Sequence, residues 1–111
     1  MRRFHIAIGV TDIEKSVADY AERLGAPPVV VVPGEYALWR TEQLNFSIRK
    51  VESEEAGKVR HLGWESADAP GFTVDTDCNG IFWENFSAEQ QAKEIQEIWP
   101  DAGYAISKGS V

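Results

Sequence analysis

The stretch FHIAIGVTDIEKSVADYAERLGAPP, residues 4 to 28, constrains the fold more than any other part of the chain. Ile6, Ile8 and Val10 alternate with His5, Ala7 and Gly9, which predicts a strand with one branched face and one small-sided, open face. Directly after it, Thr11 and Glu14 form a capping-box pattern. Ile13, Val17, Tyr20, Ala21 and Leu24 then recur at helical spacing until Gly25 and two prolines end the run. A strand feeding straight into an amphipathic helix has to lay that helix back on its own sheet. His5 is the unusual residue here: an imidazole within a buried strand is either a hydrogen-bonded core residue or a ligand.

Three further strands follow in PPVVVV, EYALWRT and LNFSIRKV, so the first half reads β-α-β-β-β. In the last of them Leu44, Phe46 and Ile48 share one face, leaving Asn45, Ser47 and Arg49 on the other. The charged segment ESEEAGK reads as a solvated connector between two halves. Beyond it VRHLGWES is a strand with His61 near its start, much as His5 stands in the first half, and this is a weak internal duplication. The second half is abbreviated, because SADAPG leaves no room for a helix before FTVDTD. Ser87 with Gln90 caps a later helix whose stripe is Ala88, Ala92, Ile95 and Trp99, with Pro100 as terminator and GYAIS as a candidate last strand. This C-terminal segment is expected to replace the missing elements, either within its own chain or on a partner chain.

A length of 111 residues suits one domain, residues 1–111, with a modest core. With 11 Lys and Arg against 18 Asp and Glu, the net charge of −7 disfavours a nucleic-acid partner. The N-terminal apolar run is too short for a signal peptide or a membrane span, and the one cysteine, Cys78, has no partner for a disulfide. A reducing, cytoplasmic setting without membrane contact is expected.

The texts FHIAIGVTDIEKSVADY, RHLGWE and DTDCNGIFWENF together resemble the vicinal oxygen chelate superfamily, which includes glyoxalase I, extradiol dioxygenases and bleomycin-resistance proteins, over roughly residues 3 to 86. The resemblance implies an α+β fold of paired βαβββ modules forming a curled mixed sheet. Module one would span about 3–52. An abbreviated module two, lacking its usual helix and followed by a C-terminal helix, would span about 58–111. It also implies metal ligands at His5, at His61 and at Glu84 on the final strand after a DPxGN-like turn, together with homodimerisation. Two family activities fit poorly. The fourth-strand face offers Asn45, Ser47 and Arg49 where glyoxalase-type sites use a carboxylate, and the chain lacks the third histidine of ring-cleaving dioxygenases.

Two neutral imidazoles and a carboxylate suit a divalent ion such as Fe²⁺, Mn²⁺, Zn²⁺ or Ni²⁺ and leave positions open for a chelating substrate. Glu84 shares a strand face with Phe82 and Phe86, so its charge needs a partner, either a metal or one of Arg40, Arg49 and Arg60. Arg49, with Ser47 and Asn45, is a candidate substrate-binding group, since a guanidinium grips carboxylates in a fork; the alternative is an exposed strand-end charge. Glu65, on the same strand face as His61, is the candidate catalytic base. Trp39, Trp64, Trp83 and Trp99 are expected in core or interface, with one of them a candidate wall of a ligand cleft. The expected function is a small metal-dependent enzyme that polarises an oxygen-bearing, anionic small molecule toward an enolate-like intermediate, with an isomerase, lyase or oxygenase outcome. The alternative is a metal-free small-molecule binding protein of the bleomycin-resistance type.

Overall fold

In the computed structural model, which describes residues 2–106, burial alternates along β1 (Arg2–Val10): Arg3, His5 and Ala7 are buried while Phe4, Ile6 and Ile8 are half-buried. Ile6 and Ile8 face α1 (Ile13–Leu24), which packs through Ile13, Val17, Tyr20 and Leu24 against Trp39, Phe46 and Ile48. The expected Thr11–Glu14 capping box does not form. Asp12 is the N-cap and accepts the Lys15 N–H at 3.0 Å, while Glu14 reaches away to accept the Gly34 N–H at 2.8 Å. A carboxylate one residue closer to the helix satisfies the same orphan amides. Gly25 ends the helix with φ 70°, a left-handed conformation that costs glycine nothing.

β2 (Val30–Val32), β3 (Tyr36–Arg40) and β4 (Leu44–Lys50) complete the first half, and β5 (Val59–Ser66), β6 (Thr73–Thr76) and β7 (Phe82–Phe86) form the second. They join in one seven-stranded mixed sheet of order β2-β3-β4-β1-β5-β7-β6, an α+β fold. The pairing repeats: β1 runs parallel to β4, which is antiparallel to β3, and β5 runs parallel to β7, which is antiparallel to β6. β1 and β5 meet antiparallel at the centre. No helix intervenes between β5 and β6, as the short SADAPG loop requires.

The C-terminal helix α2 (Ala88–Ile98) starts with the expected Ser87–Gln90 capping box and packs within its own chain. It does not take the place of the missing second-module helix. Ile95 joins Val30, Tyr36 and Leu38, with Trp99 and Tyr104 against them, so α2 covers the first half of the sheet on the face opposite α1. The α1-side face of the second half, where Phe4, Trp64 and Trp83 cluster, therefore has no helix over it among the described residues. The expected last strand is not formed by residues 103–106, and Ser107, its final residue, lies outside the described residues. No described helix is long and apolar enough to cross a membrane.

Candidate metal centre

One row of paired residues crosses four strands and sets up the site. Asn45 on β4 pairs with His5 on β1, His5 with Gly63 on β5, and Gly63 with Glu84 on β7. Adjacent strands lie only about 4.8 Å apart, so a side chain at the middle position would fill the space between its neighbours. Gly63 has none. A Cβ placed there would collide with the Glu84 backbone, and its absence lets β7 close up and lets His5 and Glu84 lean toward each other. His61 sits two residues before Gly63 on the same face and leans in from β5.

The three side chains converge as the sequence predicts. His5, His61 and Glu84 offer one ligand atom each, all within 4.8 Å of one another. His61 Nε2 lies 2.9 Å from His5 Nε2 and 3.0 Å from Glu84 Oε1, and His5 Nε2 lies 3.9 Å from the same oxygen. His5 is 2 % exposed, and its Nδ1 lies 2.8 Å from the Asn45 side-chain oxygen and 3.1 Å from the Asn45 carbonyl. Both are acceptors, so Nδ1 carries the proton and donates it, and the Nε2 lone pair is turned toward His61 and Glu84. Burial, and then the neighbouring His61, hold the His5 pKa below its ordinary value and keep this ring neutral. A neutral, orientated imidazole beside a second imidazole nitrogen and a carboxylate is a donor set that fits a divalent cation.

Asn45 and Glu65, expected to touch the substrate and to act as base, are corrected to a supporting role. Asn45 is fully buried, donating to Glu65 at 2.9 Å and to Gln91 at 2.8 Å. Glu65 accepts from Arg3 at 2.8 Å and from Arg40 at 2.8 and 3.0 Å. Burial pushes the Glu65 carboxyl up, but the hydrogen bonds from Arg40 and Asn45 outweigh it and hold the pKa below the usual carboxylate range. A carboxylate saturated with cationic donors is a weak proton acceptor, and Glu65 does not line the cleft. Arg40 is likewise committed to Glu65 and is not the partner of Glu84.

Ser47 and Arg49 do reach the site. They line a recess of about 40 Å³ that also includes His5, His61 and Glu84, room for an ion and little more than a water or two. The recess opens into a groove of about 520 Å³ with which it shares Arg49, Arg60, His61, Glu84 and Glu94. Trp99 is the tryptophan in the cleft wall, its ring 5.2 Å from the Arg49 guanidinium. Trp39 is core, hydrogen-bonded to the Ala26 carbonyl. Two groups at the rim were not singled out as site residues by sequence reasoning. Glu94, on α2, has its pKa raised by burial and by Glu84. Arg60, beside His61, has its pKa lowered by burial and by Arg49. Glu94 lies off the Ala88–Ala92–Ile95–Trp99 stripe by which the helix was read, and Arg60 entered the sequence reading only as a candidate partner for the Glu84 carboxylate.

No family model matches the chain. Over 65 residues it is 35% identical to the trivalent organoarsenical cleaving enzyme of Bacillus sp. (strain MD1), a match that covers 57% of this chain and 40% of that enzyme. The solved structure of the NAD-dependent benzaldehyde dehydrogenase from Legionella pneumophila shares the fold with a TM-score of 0.53 at 12% identity, covering 76% of this chain and 97% of that one. The chain thus has a partial sequence relative that is an enzyme, and a structural neighbour that speaks for the fold alone.

Proposed function

We propose that the protein is a small metal-dependent enzyme of the vicinal oxygen chelate type, acting on a small oxygen-bearing anion. The observation that carries this reading is the locked His5 ring. Its Nδ1 proton is fixed on Asn45, and its Nε2 lone pair faces the Nε2 of His61 at 2.9 Å. Two imidazole nitrogens at that distance need a shared proton or a cation between them, and the Glu84 carboxylate supports the cation. His5, His61 and Glu84 would hold the ion, which when bound supplies Lewis-acid polarisation of a chelating oxygen. Asn45 and Gln91 orientate His5, Glu65 and its arginines hold Asn45, and Trp99 with Phe86 walls the recess from water. Glu94, on the rim with a raised pKa, is placed to hold or pass a proton at the groove mouth.

The name of the partial relative points to a trivalent organoarsenical as a second candidate substrate. Trivalent arsenic is soft and favours thiolates, whereas the single cysteine here, Cys78, is exposed in the β6–β7 turn. Guanidinium groups at the groove favour oxygen anions instead. Elemental analysis of untagged protein, with Mn²⁺ titration followed by electron paramagnetic resonance, tests the reading. Stoichiometric metal lost in His61→Ala and Glu84→Ala supports it. Protein that neither purifies with metal nor binds added Mn²⁺ overturns it in favour of the metal-free binding protein.

A further inference from the structure

β5 is irregular at one point. Ala7 pairs with His61 and Ile8 pairs with Val59, so Arg60 is an extra residue that opposes nothing on β1. In a regular strand Arg60 and His61 would point to opposite faces, yet both line the recess. A β-bulge explains this, since it places two successive side chains toward the same side and re-aims one of them. Arg60 thereby joins Arg49 beside the His5–His61–Glu84 triad.

Neither guanidinium has an ion-pair partner among the described residues. Among the described residues the arginine ion pairs involve Arg3, Arg23 and Arg40, whose partners are Glu65 and Asp19. Arg49 rests on the Trp99 ring. Two guanidiniums that line one groove without a paired carboxylate favour an anion that can meet both. Of the acidic groups on the groove, Glu55 is offset by Lys58 at 3.7 Å, which leaves Glu84, turned toward His61 at 3.0 Å, and Glu94 on the facing helix. With a divalent ion in place, the two arginines and the ion outweigh these two carboxylates by two charges, so a doubly charged anion balances the cleft.

We propose that Arg49 and the bulge-presented Arg60 form a two-guanidinium clamp that selects a small dianionic substrate, one acidic group held by the arginines in the outer groove and the chelating oxygens entering the recess. The substrate class is a short dicarboxylate or an equivalent compact dianion, because the recess admits only the chelating end and the groove holds the remainder. This deepens the metal-enzyme reading and rests on it for the second half of the site, whereas the clamp itself consists of protein groups alone.

Calorimetric titration of malonate, acetate and uncharged malonamide into metal-free and Mn²⁺-loaded protein tests the clamp at neutral pH. Malonate is expected to bind both forms more tightly than acetate, and malonamide is expected not to bind. Arg60→Gln and Arg49→Gln should each weaken malonate about tenfold or more in both forms, as loss of a charge-assisted contact predicts. Arg60→Lys, which keeps the charge but loses the fork, should fall between. Mn²⁺ should still bind Arg60→Gln, and no more weakly, since a neighbouring positive charge is gone, and an unaltered circular dichroism spectrum and melting temperature show that the variant is folded. Malonate binding that is indifferent to Arg60→Gln, or that occurs only with Mn²⁺ present and no better than acetate, overturns the clamp. If the wild type binds malonate through Arg49 and Arg60 but never binds Mn²⁺, the clamp stands and the metal-enzyme reading fails.

Discussion

The Asn45 side-chain oxygen lies 2.8 Å from His5 Nδ1, and this one contact decides which nitrogen of the chain's most buried histidine is free. The same amide donates to Glu65 and Gln91, so the centre of the sheet, α2 and the candidate metal site share one polar network. Nothing in it is left unpaired: among the described residues every buried side-chain nitrogen and oxygen has a hydrogen-bond partner.

Replacing Asn45 by Ala should therefore act on the metal site without touching the metal. Left with only the longer contact to the residue-45 backbone carbonyl at 3.1 Å, His5 is held less firmly, and affinity for Mn²⁺ should fall about 10- to 100-fold. Paramagnetic resonance titration reads the affinity. An unchanged affinity would show that the backbone carbonyl and packing against Phe86, with ring centroids 5.0 Å apart, orientate His5 without the amide.

Glu65→Gln should destabilise the fold rather than impair proton transfer. Arg3 and Arg40 would keep buried charges without their carboxylate, a loss of about 3–5 kcal/mol for a broken buried pair. The sign of the pH effect follows from the lowered folded-state pKa. Above the ordinary value of 4.5 the carboxylate is ionised in both states and its stabilisation is fully present; as pH falls below 4.5 the unfolded chain binds the proton first, and stability is lost toward the folded pKa. Denaturant melts across this range should show a slope in wild type that is reduced in Glu65→Gln.

Gly63→Ala should be worse than a surface glycine replacement. The added methyl would meet the Glu84 backbone where β5 pairs with β7, an overpacking cost of about 1–3 kcal/mol that also pushes Glu84 off the triad. The expected result is a lowered melting temperature together with lost Mn²⁺ binding. Retained stoichiometric Mn²⁺ would show that β7 can shift without moving its carboxylate.

Ile95→Ala should cost about 2–5 kcal/mol, because Ile95 is 3 % exposed against Tyr36 and Leu38. Trp99, half-buried with its ring 4.8 Å from that of Tyr36, should cost less when truncated and should also weaken ligand binding, since it walls the cleft. Since α2 packs on its own chain, Ile95→Ala should leave the concentration dependence of the melting temperature as it is in wild type; a dependence that appears only in the variant would place a second copy against this helix.

Much of the architecture was legible because it rests on periodicity. The first half followed from alternation in β1 and β4 and from the helical stripe of α1, patterns that burial of one face imposes locally. His5, His61 and Glu84 were named together because the family resemblance implied them as ligands, and the structure brings their side chains together. What the sequence alone could not decide was partnership across strands. Nothing in the spacing of Asn45, Glu65, Arg3 and Arg40 says that they form one network rather than a substrate face and a base, because those contacts are made between residues 20 to 62 positions apart. The single extra residue at Arg60 inverts the face that alternation assigns to it, and its pairing is visible only once β1 lies beside β5. Only the tertiary structure put α2 over the first half of the sheet rather than the second: an amphipathic helix carries one apolar stripe, and which sheet face it covers depends on where the chain turns after β7.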